Sequence, residues 1–296
     1  VNVFVTGSEG FIGRHVVRRL VNDHSITTIA KYDRAIHPAD QIEQRDRLCD
    51  SMRGSDVVIH LAALADVRNA LKQPVQQVQS NLILTSQVLE AMRATGVNRI
   101  VFMSTAVVYG DCTDSPITER ATCFPQQTSI YGAMKLASES LIAAYCHGYG
   151  MTADIFRTVS LVGPGYRHGN LMDFYKKLKA NPSRLEIYGT GQQQKYYIDV
   201  ADVVQAIRLT LARQHTGAEL WNISHDQPNT ILDSIETVAG VLQAQPAIIS
   251  VADPWAGDLP GLVLDCSKLR GIGWAPTVPI RQGMEAAVMD FVERGL

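Results

Sequence analysis

Thr6-Gly7-Ser8-Glu9-Gly10-Phe11-Ile12-Gly13 stands where a short β-branched run, residues 2–6, gives way to a helical pattern. Each glycine has a physical task. Gly7 permits a tight turn, Gly10 removes the side chain that would keep a pyrophosphate off the backbone, and Gly13 lets the helix pack close to the strand. The N–H groups of the helix's first turn then face an anion. Three glycines alone would also suit a plain surface turn. It is the strand-turn-helix setting that points to a bound dinucleotide.

Outward from this turn, short apolar runs alternate with longer helical segments, the pattern of crossover units on a parallel sheet. Strands are expected at residues 2–6, 26–32, 56–60, 99–104 and 152–157, and helices at 11–22, 75–95 and 129–148. Several strands are apolar at successive positions, as strands covered on both faces should be. In the second helix Val78, Leu82, Thr85 and Leu89 fall at helical spacing, and Gly96 is its stop signal. The predicted fold is α/β, a doubly wound parallel (Rossmann) sheet with a smaller C-terminal substrate-binding domain. The expected division is 1–158 plus about 195–226 for the first domain, recruiting a later strand and helix around 197–211. Residues 159–194 and 227–296, ending in a helix near 280–294, form the second.

The chain has 296 residues, 46% hydrophobic and 19% charged, with 27 Lys and Arg against 29 Asp and Glu. That is enough for roughly two domains and a sizeable core. The near-neutral balance and the lack of a basic tract argue against nucleic acid as a partner. No apolar stretch reaches the roughly 18 residues of a membrane span, and residues 1–6 read as a strand rather than a leader. The five cysteines Cys49, Cys112, Cys123, Cys146 and Cys266 form no CxxC pair, and the eight histidines show no metal spacing. Reduced thiols, a cytoplasmic location and no metal are the expectations.

Asp33 follows Gly13 by 20 residues, at the end of the second strand. There an acidic side chain accepts hydrogen bonds from the adenosine ribose and repels a 2′-phosphate, which favours NAD over NADP. Arg34 and Lys31 pull the other way, and an aspartate that merely opens a turn is the competing reading. Tyr131 and Lys135, four apart at the start of a helix, share one face. An ammonium beside a phenol favours the phenolate, making Tyr131 a feasible base. Taken alone, that spacing is common on helix surfaces.

Its company decides. The glycine turn, His60-Leu61-Ala62-Ala63, Asn81, the run Ser104-Thr105-Ala106-Val107-Val108-Tyr109-Gly110, and Tyr131 to Lys135 follow in order, with Gly189-Thr190-Gly191 and residues 195–203 beyond. Over essentially its whole length the sequence resembles the extended short-chain dehydrogenase/reductase family, and most of all its nucleotide-sugar epimerases.

The resemblance implies Thr105, Tyr131 and Lys135 as the catalytic set, Lys135 also holding the nicotinamide ribose. It implies NAD contacts at Gly7, Gly10, Phe11, Ile12, Gly13, Asp33, Arg34, Asp46, Arg47, Leu61, Ala62, Ala63, Asn81, Ser104 and Val159, besides Tyr131 and Lys135. On the substrate side it implies Ser160, Asn170, Leu171, Lys195 and Trp255, with Tyr188 in the place of an aromatic beside the base, together with Thr105 and Tyr131. The implied reaction inverts C4 of a hexose, UDP-hexose being the first expectation, through a transient ketone. A reductase of a 4-keto sugar nucleotide that consumes NAD(P)H is the alternative, and a non-catalytic cofactor sensor is a third reading.

Where the family's dehydratases and decarboxylases carry an acidic residue after the catalytic Thr or Ser, this chain has Ala106 and Val107. Chemistry at a single carbon is therefore favoured. Ser160, Lys195 and Trp255 replace an Asn and two Arg usual in UDP-sugar members, and Arg167 and His168 are possible substitutes for the lost charge. A homodimer through helices 75–95 and 129–148 is also implied.

Overall fold

A computed structural model describes residues 1–33, 45–65, 70–124, 126–252 and 261–296. Arg34 and Trp255 lie outside the described residues. Six parallel strands make the central sheet: β1 (Asn2–Thr6), β2 (Thr28–Tyr32), β3 (Val57–His60), β4 (Arg99–Met103), β5 (Thr152–Thr158) and the strand Gly217–Ile223. Their order is β2, β1, β3, β4, β5, then Gly217–Ile223. The chain leaves β1 towards one edge, and after β2 it crosses back to β3 on the other side. This reversal opens a crevice at the carboxyl ends of the strands, where ligands of such sheets bind.

Alternation within the strands builds two cores. Val3, Val5, Val57, Ile59, Val101 and Met103 face a layer containing Val16 and Leu20 of the helix Phe11–Val21 and Val203, Ala206 and Ile207 of the helix Val200–Leu211. Phe4, Val58, Ile100 and Phe102 face the opposite layer, with Leu48, Leu84, Val88 and Ile142. Apolar residues on both faces explain the unbroken hydrophobic runs. A third buried cluster joins the helices Asn170–Ala180, Ile231–Leu242 and Ile280–Glu293 to the strand Arg184–Tyr188, which pairs in parallel with Ala247–Ala252.

Two expectations change in detail. Tyr197–Asp199 pairs with Ser160–Val162 rather than joining the main sheet, whose sixth strand is Gly217–Ile223. The helix that follows Tyr197–Asp199 does cover the sheet. The helix expected at 75–95 is interrupted: Pro74–Gln77 is α-helical, Val78–Ile83 forms a π turn, and Leu84–Thr95 resumes the α-helix up to Gly96 at φ 77°. The wider turn rotates the upstream residues, so Leu84, Thr85, Val88 and Leu89 are buried while Val78 and Leu82 are only half-buried. Among the described residues no helix is long and apolar enough to cross a membrane, and all five cysteines are free.

Candidate active site

The glycine turn closes β1 at the crevice. Gly7 has φ 69° and its N–H donates to the Tyr32 carbonyl at 2.9 Å. A Cβ on Gly7 would stand 2.7 Å from the Ala62 nitrogen, and one on Gly13 would stand 2.0 Å from the Gly7 carbonyl oxygen. Gly13 thus brings the helix onto the turn itself. Gly10 precedes the helix Phe11–Val21 without a side-chain cap, so the first-turn N–H groups remain for an anion. The Ser8 hydroxyl is buried in the turn with no hydrogen-bond partner among the described residues. Asp33 Oδ2 accepts the Glu9 N–H at 3.0 Å, which fixes the carboxylate beside the turn. Lys31 Nζ is 3.8 Å from Glu9 Oε1, so that cation already has an acidic neighbour. A side-chain-free cradle, a helix N-terminus and an acid at the end of β2 fit NAD.

The remaining cofactor-side residues come from several elements. Leu61, Ala62 and Ala63 follow β3 at the crevice, the Leu61 N–H donating to the Thr6 carbonyl at 3.2 Å. Val159 follows β5 and its N–H donates to Ile223. Phe11 packs edge-on to His15 and Tyr166, and half-buried Ile12 packs against the core. Asp46 and Arg47 are exposed on the helix Arg45–Met52, where the Arg47 charge opposes the rise that burial imposes on the Tyr32 phenol. Asn81 Oδ1 accepts the Leu64 N–H at 3.1 Å and Nδ2 donates to Gln77 Oε1 at 2.8 Å. Its side chain therefore holds the 61–65 loop to the π turn.

Behind that loop, a relay sets the state of His60. The Thr85 hydroxyl donates to the Asn81 carbonyl, so it accepts from His60 Nε2 at 3.1 Å. Nδ1, 2.7 Å from Thr6 Oγ1, is then the acceptor. Burial, aided by the nearby Lys135 charge, pushes His60 down to about 3, and the ring is neutral.

The helix that carries Tyr131 and Lys135 packs on the end of β4, where a Cβ on Gly132 would stand 2.9 Å from the Val107 carbonyl oxygen. Thr105 precedes a 3₁₀ turn, Ala106–Tyr109, and its Oγ1 accepts the Val107 N–H at 3.2 Å, leaving its proton to donate elsewhere. Tyr131, Lys135 and Glu139 line the buried face of the helix Ile130–Tyr149, which Ser129 caps through the Gly132 N–H. Lys135 Nζ donates to the Met103 carbonyl at 2.8 Å and lies 4.5 Å from the Phe102 ring centroid. Burial pushes Lys135 down to about 7, against a raising effect of Glu139. The Tyr131 hydroxyl makes no hydrogen bond to the described residues. Burial pushes its phenol above the ordinary tyrosine value.

Two residues were missed in the sequence. Glu139 accepts the Ser104 hydroxyl and is paired with Arg157, whose Nε and Nη2 reach it at 3.1 and 2.6 Å. Ser104, expected to face the cofactor, turns its hydroxyl to the helix instead. Arg157 also lies 4.8 Å from the Tyr109 ring centroid. The spacing Lys135 to Glu139 was a readable signal, the same four-residue step as Tyr131 to Lys135.

On the substrate side, exposed Ser160 and half-buried Lys195 begin and end short strands. Asn170 Nδ2 donates to the Tyr197 hydroxyl at 2.7 Å. Leu171 is fully buried in the third core, so its side chain is withdrawn from any substrate and only its backbone can serve. Tyr188 is 55% exposed, and Arg167 and His168 are exposed too.

The family model described as the NAD dependent epimerase/dehydratase family matches residues 3–224. A putative UDP-glucose 4-epimerase of Methanocaldococcus jannaschii is 29% identical over 97% of both chains. The GDP-6-deoxy-D-mannose reductase of Pseudomonas aeruginosa is 27% identical, covering 99% of this chain and 97% of its own. The solved structure of MoeE5 in complex with UDP-glucose and NAD superposes with a TM-score of 0.88 at 26% identity over the whole of both chains. The glycine cradle and these matches lead to one conclusion: the chain belongs to the NAD-dependent epimerase/dehydratase family, an enzyme family of the extended short-chain dehydrogenase/reductase type.

Proposed function

We propose that the chain is a nucleotide-sugar epimerase that inverts C4 of a hexose, with a UDP-hexose as the first substrate to test. One observation carries the choice: Lys135, one turn after Tyr131, reaches the Met103 carbonyl two residues before Thr105, while Ala106 and Val107, the neighbours that would supply a second acid, are apolar. Chemistry at one carbon needs no further proton donor. When bound, NAD supplies the hydride acceptor and donor, and its oxidised ring brings a positive charge that opposes the burial of Tyr131. Tyr131 takes the proton of the sugar hydroxyl and returns it once the ketone has turned. Thr105 donates a hydrogen bond to the oxygen on which charge develops. Lys135 holds the cofactor's ribose, and Asp33 the adenosine ribose.

The reading places the sugar nucleotide between the strand ends and the smaller lobe, near Ser160, Asn170, Tyr188 and Lys195. Exposed Leu71, Val75 and Ile83 around the helix at 74–95 support a homodimer. Sedimentation showing only monomer at micromolar protein would remove the dimer.

The function is tested by mixing NAD-loaded protein with UDP-, dTDP-, GDP- and CDP-hexoses without added cofactor. Interconversion of C4 epimers with no net absorbance change at the reduced-nicotinamide band is expected, and Tyr131→Phe should abolish it. Stoichiometric consumption of added NAD(P)H with a 4-keto sugar nucleotide would establish the reductase instead.

A further inference from the structure

We propose that Glu139 is a positioning residue: together with Lys135 it clamps residues 103–105 onto the helix Ile130–Tyr149 and so sets Thr105 against Tyr131. This rests on the roles proposed above for Thr105 and Tyr131. Two adjacent residues are gripped from one helical face. Lys135 Nζ holds the Met103 carbonyl at 2.8 Å, and the Glu139 carboxylate holds the Ser104 hydroxyl. Thr105 is the next residue in the chain. Its hydroxyl and that of Tyr131 must converge on one oxygen, so the grip fixes the separation that matters for the reaction.

The carboxylate is built to stay in place. Glu139 is 4% exposed and Arg157 4% exposed, and Arg157 meets both carboxylate oxygens. Arg157 is in turn seated on Tyr109, within the 3₁₀ turn that follows Thr105. The Tyr109 hydroxyl donates to Asn222 Oδ1 at 2.6 Å, and Asn222 Nδ2 holds the Ile117 carbonyl at 2.8 Å. The clamp is thus anchored at both ends of the Thr105 turn.

Glu139 also acts on Lys135 by charge. The groups facing the ammonium are neutral His60 from β3, the Phe102 ring and Met103 carbonyl from β4, and Glu139 from its own helix. Arg157 of β5 stands behind Glu139. Glu139 is the one carboxylate among these groups, and it favours the protonated amine.

The test uses full-length NAD-loaded protein. Ser104→Ala removes the grip without disturbing the buried ion pair. It should lower kcat roughly tenfold to a hundredfold, the range for a misplacement of about 1 Å, with KM unchanged. Glu139→Gln keeps an acceptor for Ser104 but removes the charge. In protein labelled with ¹⁵N-lysine, the titration midpoint of Lys135 Nζ, assigned by its loss in Lys135→Met, should fall in Glu139→Gln and stay fixed in Ser104→Ala. Where Glu139→Gln does not fold, Glu139→Gln/Arg157→Met supplies the same reading. A packing role alone would alter melting and leave both the midpoint and kcat unmoved. Wild-type kcat in Ser104→Ala beside an inactive Tyr131→Phe overturns the clamp and spares the mechanism. A fully active Tyr131→Phe overturns the mechanism, and an unmoved Lys135 midpoint in Glu139→Gln overturns the charge effect of Glu139 on Lys135.

Discussion

Replacing Gly13 with alanine strikes the cofactor cradle at its tightest point. The new Cβ would stand 2.0 Å from the Gly7 carbonyl oxygen and 2.8 Å from Ser8 Cα, both backbone atoms. Ordinary contact begins at about 3.5 Å, so the helix and the turn must separate by about 1.5 Å. Strain from overpacking runs to about 3 kcal/mol when the backbone has to give. For a chain of this size that corresponds to a fall in Tm of roughly 5 °C. If the turn moves, NAD binding weakens as well, and about 3 kcal/mol is more than a hundredfold in affinity. Gly96→Ala is the control. Gly96 has φ 77° but open space around it, so alanine there should cost about 1 kcal/mol of backbone strain and leave NAD affinity untouched. Melting curves and calorimetry with NAD on the three proteins decide the matter. A Gly13→Ala protein with wild-type Tm and wild-type NAD affinity would refute the assignment of this turn as the pyrophosphate cradle.

Lys135, held at about 7 in the fold against 10.5 when free, makes the unfolded chain bind more protons between those values, so its stabilising contribution should rise with pH there. Lys135→Met should melt higher than wild type near pH 7, the gap closing towards pH 10. His60, at about 3 in the fold against 6.5 when free, gives the unfolded chain the extra proton below pH 6.5. Stability should therefore be lost as pH falls from 6.5 towards 3, less steeply in His60→Gln, as melting curves across that range would show. Tyr109→Phe leaves Asn222 Oδ1 without its donor and should cost about 1–3 kcal/mol in urea unfolding.

The parts legible in the sequence were those whose physics is local. A strand, three glycines and a helix start lie within a dozen residues, and Gly96 marks a helix end by its own conformational freedom. Tyr131 and Lys135 share a face because four residues make about one turn. What escaped reading depended on distant partners. Glu139 is a clamp only because Arg157 and Ser104 come to it from the ends of neighbouring strands. The π turn at 78–83 carries Asn81, which bonds to Leu64, a partner 17 residues away that helical spacing does not reveal. Gly217–Ile223 enters the main sheet because β5 offers it an edge, whereas Tyr197–Asp199, equally apolar, is captured by Ser160–Val162. Leu171 looked like a substrate contact by alignment with a motif, and burial in the third core removes its side chain from that task.

The central claim, reversible oxidation and reduction at one sugar carbon with the hydride kept inside the protein, is tested most directly by isotope. A C4-deuterated UDP-hexose, or whichever sugar nucleotide is turned over, is incubated with NAD-loaded protein in ordinary water without added cofactor, and the product is examined by NMR. Deuterium retained at C4 of the inverted epimer is the expected result. Unlabelled C4 in the inverted product, or a product reduced at the expense of added NAD(P)H, would contradict it.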